Sequence, residues 1–210
     1  MSQVKVSGNS SGTGIFEIAA PNSNSNYTLT LPQATTTLVG TDATQTLTNK
    51  TINGGAITSG TAQASTSGTS IDFTSIPSWV KRVTVMFQGV STNGSSPVQV
   101  QLGVSGTPEI TGYASSSAII AGSTAAVNSS TSGFLMVTAV AASDTLSGIA
   151  TIATLGSNIW VYSSNVKRTA TQSCFSEGDK TLAGVLNMVR ITTVNGTDTF
   201  DAGSINILYE

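Results

Sequence analysis

"KRVTVMFQGV", residues 81–90, and "PVQVQLG", residues 97–103, are the two stretches that decide the fold of this chain. In the first, Val83, Val85 and Phe87 stand at alternate positions, so an extended strand would place them on one face. In the second, apolar residues alternate with glutamines in the same way. Both stretches therefore predict β-strands that turn one face towards a hydrophobic core.

Further short runs follow, and each is bounded by glycine, asparagine or serine, which favour turns. They are "TSIDFTSIP" (69–77), "SGFLMVTAV" (132–140), "SGIATIATLG" (147–156), "SNIWVYSSN" (157–165), "VLNMVRITTV" (185–194) and "GSINILYE" (203–210). About eight short strands at this spacing are typical of a β-sandwich or jelly roll. Residues 114–133 have small apolar side chains without a firm period, so they predict a long surface loop. No stretch has the periodicity of an amphipathic helix, so the chain is predicted to be all-β.

The amino-terminal residues show a different pattern. "GIFEIAA" (14–20) and "YTLTLP" (27–32), separated by the turn-forming "PNSNSN" (21–26), predict a β-hairpin. A lone hairpin is marginally stable in water, and the residues after it offer few apolar side chains to cover it. Identical chains arranged about one axis could bury these side chains together. We therefore expect a stalk or attachment region at residues 1–64 and a jelly-roll-like β-sandwich head at residues 65–210.

The composition argues against several classes of partner. Only 9% of the residues are charged, and the formal net charge is −2. The basic residues cluster only as the pairs Lys81-Arg82 and Lys167-Arg168, so no basic face is available and nucleic acid is not expected as a partner. The longest apolar run, residues 134–142, is shorter than the about 20 residues that span a bilayer, so no membrane insertion is expected. The first residues lack the apolar core of a signal peptide, which predicts synthesis in a cytoplasm.

The reactive side chains do not suggest an enzyme. The chain has no histidine, which excludes the Ser-His and Cys-His nucleophile systems. Cys174 is the only cysteine and has no basic residue close to it in sequence, so an unreactive thiol is expected. Two neighbouring acidic pairs, Glu177 with Asp179 and Asp198 with Asp201, remain as candidates for carboxylate chemistry. Asp198 stands beside an Asn-Gly turn, so we predict no catalytic residue, no metal site and no cofactor.

Several segments resemble proteins of one class. "TLTNKTING" (46–54) resembles the Leu-Thr-Asn-Lys-Thr element of the shafts of tailed-bacteriophage fibres. Residues 12–40 are similar to a module that commonly precedes this element in phage fibres. Residues 78–103, the "TGY" at 111–113 and residues 195–210 resemble a domain at the tips of phage fibres. The resemblance covers most of the chain, and it implies a threefold stalk that carries a trimeric β head.

The expected site residues fall into two groups. Sugar-binding surfaces offer flat rings beside neutral hydrogen-bonding groups, as do Trp160 and Tyr162, which share one face of a predicted strand flanked by serine and asparagine. Tyr113, near a predicted loop, is a further candidate for glycan binding. The alternative for Trp160 is that it is the core tryptophan of the sandwich. The residues expected to pack on the trimer axis are Phe16, Ile18, Leu29, Leu31, Leu47 and Ile52.

The sequence therefore predicts a non-enzymatic virion fibre protein on the exterior of a bacteriophage particle. The favoured function is a tail fibre or receptor-binding tip that adheres to a host surface glycan, with weak binding multiplied over repeated copies. Other virion proteins of the tail or capsid would be bound through the amino-terminal region. A capsid (head) fibre or decoration protein is an open alternative, and a polysaccharide depolymerase is a further one.

Overall fold

The structure, a computed structural model, describes residues 11–14, 24, 26 and 57–210. The chain divides into two units, Met1–Lys50 and Thr51–Glu210, and every described strand lies in the second unit. The side chains predicted to pack on a trimer axis lie outside the described residues, namely Phe16, Ile18, Leu29, Leu31, Leu47 and Ile52.

Residues 57–210 form β-strands joined by turns and loops. The strands are β1 (Thr58–Ser59), β2 (Gln63–Ala64), β3 (Ser70–Thr74), β4 (Arg82–Thr92), β5 (Val98–Val104), β6 (Thr107–Pro108), β7 (Tyr113–Ala121), β8 (Thr124–Ser130), β9 (Phe134–Leu135), β10 (Leu146–Gly156), β11 (Ile159–Thr169), β12 (Gln172–Thr181), β13 (Leu186–Thr193) and β14 (Phe200–Tyr209). In this part of the chain the structure has no helix that is long and apolar enough to cross a membrane.

The strands pair into two antiparallel sheets. The large sheet has nine strands in the order β1-β14-β4-β10-β11-β12-β7-β8, with β2 also paired to β14. The small sheet has five strands in the order β3-β13-β5-β6, with β9 also paired to β5. One continuous core of apolar side chains contains residues from both sheets. The prediction of an all-β, sandwich-like fold is confirmed.

Alternating side chains of the central strands form this core. Val83, Val85 and Phe87 of β4 are buried, as their spacing predicts, and their sequence neighbours are more exposed. In the small sheet, Val100 of β5 and Ile191 of β13 lie opposite each other, and both are buried. Burial of side chains of this size contributes about 1.5–3 kcal/mol each. The core is therefore built by the alternation that the sequence shows.

The predicted surface loop at residues 114–133 is wrong, because most of it forms the antiparallel hairpin of β7 and β8. Gly122, whose φ is +62°, begins the tight turn between the two strands. In β7 the inward positions alternate as in any strand, but two of them are the serines Ser115 and Ser117. Ser115 accepts a hydrogen bond from the backbone N–H of Leu135 at 2.9 Å. Because small polar residues occupy buried positions of β7, the hydrophobicity of the sequence does not show the two-residue period of this strand.

Polar residues are also buried in strands β12 and β5, where the hydrophobicity pattern of the sequence does not indicate burial. β12 pairs along its length with β11 and β7, although serine, glycine and lysine occupy inward positions of the strand. Gln99 and Gln101, which alternate with the apolar residues of β5, are buried as well. The side-chain amide of Gln101 donates to the backbone carbonyl of Ser132 at 2.9 Å, so the loop before β9 covers this face of β5.

The two ends of the sandwich differ in the chain segments that they contain. Thr58 of β1 pairs with Tyr209, and Arg82 at the start of β4 forms an ion pair with Glu210, so the chain enters the large sheet at this end. We call it the entry end. The opposite end, which we call the far end, carries the β7–β8 turn at Gly122 and the β11–β12 turn at Ala170. Residues 58–64, assigned to the stalk region from sequence, thus contribute β1 and β2 to the large sheet.

An ion pair joins the two sheets near the entry end. Lys180, at the end of β12, lies 2.6 Å from the carboxylate of Glu109, which follows β6 of the small sheet. The Lys180 side chain is 7% exposed and the Glu109 side chain 22%. Burial pushes the pKa of Glu109 upwards, but the hydrogen bonds from Lys180 and from the Ala183 N–H, together with the lysine charge, leave this pKa below its ordinary value. The charged form of Glu109 is therefore stabilised by folding.

This pair predicts a loss of stability in acid. The pKa of Glu109 is lower in the folded than in the unfolded chain, where it has its ordinary value of 4.5. The contribution of the ion pair to the free energy of unfolding is therefore fully present above pH 4.5 and is lost as the pH falls through the folded pKa. Glu109→Gln is expected to reduce the free energy of unfolding at neutral pH by roughly 1–3 kcal/mol and to flatten its dependence on pH below that value.

Urea unfolding followed by circular dichroism at several pH values measures both effects. Asp201→Asn, which changes an exposed carboxylate of β14, is the matched control and should leave the neutral-pH stability nearly unchanged. Equal losses in the two variants would contradict a stabilising role for the Glu109–Lys180 pair.

Candidate functional site

Two of the three rings predicted to bind glycan belong to an aromatic cluster between the sheets. Phe134 stacks on Tyr162 with ring centroids 4.6 Å apart and planes at 3°, and it meets Tyr113 edge-on at 4.9 Å and 90°. Tyr113 and Tyr162 are each 3% exposed. Neither ring presents a face to solvent on which a surface sugar could stack.

The hydroxyl of Tyr113 has a structural role. Tyr113 begins β7 in the large sheet, and its oxygen accepts a hydrogen bond from the backbone N–H of Leu102 in the small sheet at 2.7 Å. The same hydroxyl lies 3.0 Å from the Glu109 carbonyl oxygen, to which it donates. Burial raises the pKa of Tyr113 well above its ordinary value, so the hydroxyl stays protonated and can donate at neutral pH.

Trp160 is also buried, at 4% exposed, but unlike the two tyrosines it lines a small cavity at the entry end. The cavity has a volume of about 130 Å³. Its walls come from the segment before β4, the β10–β11 turn and the segment before β13, and they include Ser78, Lys81, Thr154, Ser157, Asn158 and Leu186. The indole nitrogen of Trp160 is buried and has no hydrogen-bond partner among the described residues. We call this cavity the entry cavity.

A tight turn shapes one wall of the entry cavity. Gly156, the last residue of β10, has a φ of +101°, and Ser157 and Asn158, which lead into β11, have φ values of +49° and +62°, so three successive residues have positive φ. Asparagine tolerates this conformation and is favoured in turns, whereas serine adopts it at a cost of about 1–2 kcal/mol. The Thr154 hydroxyl donates to the Ile159 carbonyl at 2.9 Å and accepts from the Gly156 N–H at 3.0 Å, which holds the turn. Neutral polar side chains are thus held beside the Trp160 ring.

An exposed ring lies in the segment that contributes to the entry cavity, although the ring is not among the residues that line the cavity. Trp79 is 50% exposed, and its sequence neighbours Ser78 and Val80 both line the cavity. Its ring centroid lies 6.0 Å from that of Tyr209, with the planes tilted by 49°. Among the described residues, Trp79 is the tryptophan that offers part of its ring to solvent. Its position just after Pro77 predicts packing beneath the first strand or against a neighbouring subunit, so the sequence does not indicate Trp79 as a glycan-binding residue.

The entry cavity offers hydrogen bonds and ring contacts. Lys81 is the charged residue among its lining residues. A hydroxyl or carboxylate oxygen of a ligand would find hydrogen-bond donors in the serine, asparagine and lysine side chains of the cavity. The lining residues contain no acidic side chain. The arrangement can form hydrogen bonds to a small polar group.

The carboxylates considered for catalysis lie elsewhere. The Asp198 carboxylate accepts from the backbone N–H of Ser96 at 2.9 Å and from the Asn195 side-chain amide at 2.7 Å. These hydrogen bonds, first that from Asn195, lower the pKa of Asp198 and fix the loop at the far end. Glu177 and Asp179 both face outwards on β12. In residues 57–210 no group of three or more acidic or cysteine side chains is placed to hold a metal ion.

Cys174 is fully buried in β12, and burial is the main cause that raises the pKa of its thiol. A buried thiol with a raised pKa has little thiolate at neutral pH and is a poor nucleophile.

Comparisons with protein-family models, with curated proteins and with solved structures find no match to this chain.

The role of Tyr113 leads to a prediction for stability. Tyr113→Phe keeps the ring but leaves the buried Leu102 N–H without its acceptor, which is expected to lower the free energy of unfolding by about 1–3 kcal/mol. Tyr209→Phe is the control, because its hydroxyl makes no hydrogen bond to the described residues. Chemical denaturation of both variants measures the difference. A loss for Tyr113→Phe no larger than that for Tyr209→Phe would contradict the bridging role of this hydroxyl.

Proposed function

We propose that this chain is a non-enzymatic fibre protein on the exterior of a tailed-bacteriophage virion. The stalk and attachment region, predicted at residues 1–64, would end before β1, because Thr58–Ser59 and Gln63–Ala64 pair with β14, and the residues from β1 onwards would form the head of a homotrimer. The order of the fibre-like segments supports this proposal, because the shaft-like element at 46–54 precedes the tip-like segments that begin at residue 78. The all-β, sandwich-like fold of residues 57–210 is consistent with the β head expected of a fibre protein.

The head would act by adhering to a host surface glycan. The observation that supports this function is a half-exposed Trp79 ring in the segment before β4, whose neighbours Ser78 and Lys81 contribute hydrogen-bonding side chains to the entry cavity. Sugars combine an apolar ring face with many hydroxyl groups, so an exposed indole in a segment with such side chains suits them. The cavity lies at the entry end, so the glycan would be bound at that end of the head, away from the far-end loops.

The binding site of this proposal differs from the one predicted by sequence. Trp160 remains part of it, as a wall of the entry cavity. Tyr113 and Tyr162 are replaced by Trp79, because both tyrosine rings are covered by the core in the folded head.

Removal of the exposed ring tests the glycan proposal. Trp79→Ala in the full chain is expected to weaken binding to purified host surface polysaccharide roughly tenfold, which corresponds to about 1.4 kcal/mol. Stability should change little because half of the ring is already in solvent. Val194→Ala, which truncates an exposed apolar residue at the far end, should leave binding unchanged. Surface plasmon resonance with immobilised polysaccharide measures both variants, and an unaltered affinity of Trp79→Ala would overturn this site.

The alternatives differ in where the protein is attached and in what it does to polysaccharide. Gold-labelled antibodies on intact particles would show whether the protein projects from the tail, as proposed, or from the capsid, as a head fibre or decoration protein would. Release of reducing sugar from the polysaccharide would favour a depolymerase. Sedimentation equilibrium of the full chain, whose mass is 21.2 kDa, tests the trimer, and a monomer would overturn the fibre proposal.

A further inference from the structure

The side chains that line the entry cavity offer more hydrogen-bond donors than acceptors. Lys81 and Trp160 line it, and an ammonium or an indole N–H donates hydrogen bonds but accepts none. Ser78, Ser157 and Asn158 also line it, and their side chains make no hydrogen bond to other described residues. A ligand group that only accepts hydrogen bonds would therefore be matched by this cavity.

The charge of Lys81 is not neutralised by an acidic side chain. Among the described residues, Lys81 and Lys167 are the basic side chains that form no ion pair, whereas the others each have an acidic partner, namely Arg82, Arg168, Lys180 and Arg190. Glu210 accepts a hydrogen bond from the Lys81 N–H at its main-chain oxygen, but its side chain pairs with Arg82 and does not line the cavity. The entry cavity thus has one free positive charge.

Trp160 adds a buried donor without a partner. The residue is 4% exposed, and its Nε1 atom makes no hydrogen bond to the described residues. A buried N–H without an acceptor is costly, and most such groups in folded proteins are paired. The entry cavity is the polar space that Trp160 lines, so an acceptor bound there would lie beside this ring.

Backbone hydrogen bonds hold the walls of the entry cavity together. The Thr154 N–H donates to the Lys81 carbonyl at 2.9 Å, which ties the segment before β4 to the end of β10. The Leu182 N–H donates to the Asn158 carbonyl at 3.0 Å, which ties the β10–β11 turn to the segment before β13. The backbone that carries these donors is therefore fixed by the fold, which lowers the cost of ordering on binding.

The size and charge of the entry cavity favour a carboxylate over other groups. Its volume of about 130 Å³ is that of a few water molecules, each of which takes about 30 Å³ in the liquid. A carboxylate is small, carries one negative charge and only accepts hydrogen bonds. A phosphate monoester carries nearly two charges at neutral pH, and Lys81 is the one charged residue that lines the cavity. A hydroxyl would leave the lysine charge without a partner.

We propose that the entry cavity binds the carboxylate group of an acidic sugar. Lys81 pairs with its charge, and its oxygens accept hydrogen bonds from the serine and asparagine side chains and from the indole N–H of Trp160. This inference rests on the proposed adhesion to a host surface glycan, and it narrows that glycan to one that contains acidic sugars.

The indole N–H of Trp160 provides a direct readout of binding. The chain has two tryptophans, so Trp79→Phe leaves Trp160 as the single one and keeps a ring at position 79. The ¹⁵N–¹H signal of this indole is followed by NMR while the full-length variant is titrated with glucuronate, glucose or acetate. Glucuronate is expected to shift the signal saturably, and glucose, which lacks the carboxylate, is expected to leave it in place. Acetate, which lacks the sugar, is expected to bind more weakly than glucuronate.

The two lysines without an ion pair allow a matched comparison. Lys81→Gln, added to Trp79→Phe, is expected to weaken glucuronate binding roughly tenfold, because a charge-assisted hydrogen bond becomes a neutral one. Lys167→Gln removes the same charge from an exposed position of β11 outside the cavity and should leave the affinity unchanged. Circular dichroism of each variant shows that it is folded. Equal affinities of the two lysine variants, an equal response to glucose, or acetate binding as tight as that of glucuronate would overturn the inference.

Chemical reduction of the polysaccharide separates this inference from the proposed function. Host surface polysaccharide is immobilised before and after its carboxyl groups are reduced to alcohols, and binding of the unaltered full chain is measured by surface plasmon resonance. The inference expects binding to the native polysaccharide and a loss of most of it after reduction. If both forms bind equally, the inference fails and glycan adhesion stands. If neither form binds, both fail.

Discussion

Phe134 packs between the two sheets and holds them together. It is fully buried in β9, stacks on Tyr162 of the large sheet and meets Tyr113 edge-on. Gly178 of β12 has no side chain, and a Cβ there would lie 2.9 Å from the Phe134 ring, so the large sheet leaves room for this ring. A chain with one cysteine and 9% charged residues has neither disulfides nor many ion pairs to hold its layers together. Packing of aromatic rings between the layers supplies that cohesion.

The sequence predicted the strands whose inward residues are large and apolar. β4, β11 and β14 were found because valine, isoleucine and aromatic residues alternate in them. The β7–β8 hairpin and β12 were missed because their buried positions include serine, glycine and Lys180. These polar groups are satisfied inside the fold, as Ser115 is by the Leu135 N–H and Lys180 by Glu109. A partner distant in sequence makes such burial possible, and hydrophobicity along the chain does not reveal it.

The same limit of hydrophobicity patterns explains why the candidate site differs from the one predicted from sequence. Alternation indicates which rings share a face of a strand, as Trp160 and Tyr162 do, but not which face the other sheet covers. Both rings point into the core, and the sequence had left this alternative open for Trp160. The position of Trp79 just after Pro77 predicted packing beneath the first strand or against a neighbouring subunit, and the folded chain leaves half of its ring exposed. The entry cavity joins three segments far apart in sequence, and only the folded chain brings them together.

The edge position of β8 has a consequence for the folded subunit. Thr124 to Ser129 are exposed, and β8 is held by its pairing with β7 and by hydrogen bonds of Asn128 with Thr138 and of Ser130 with Gln99. Resistance of this strand to local opening therefore depends mainly on that pairing. An uncharged edge of this kind is also where a foreign strand would most readily add to the sheet and begin aggregation.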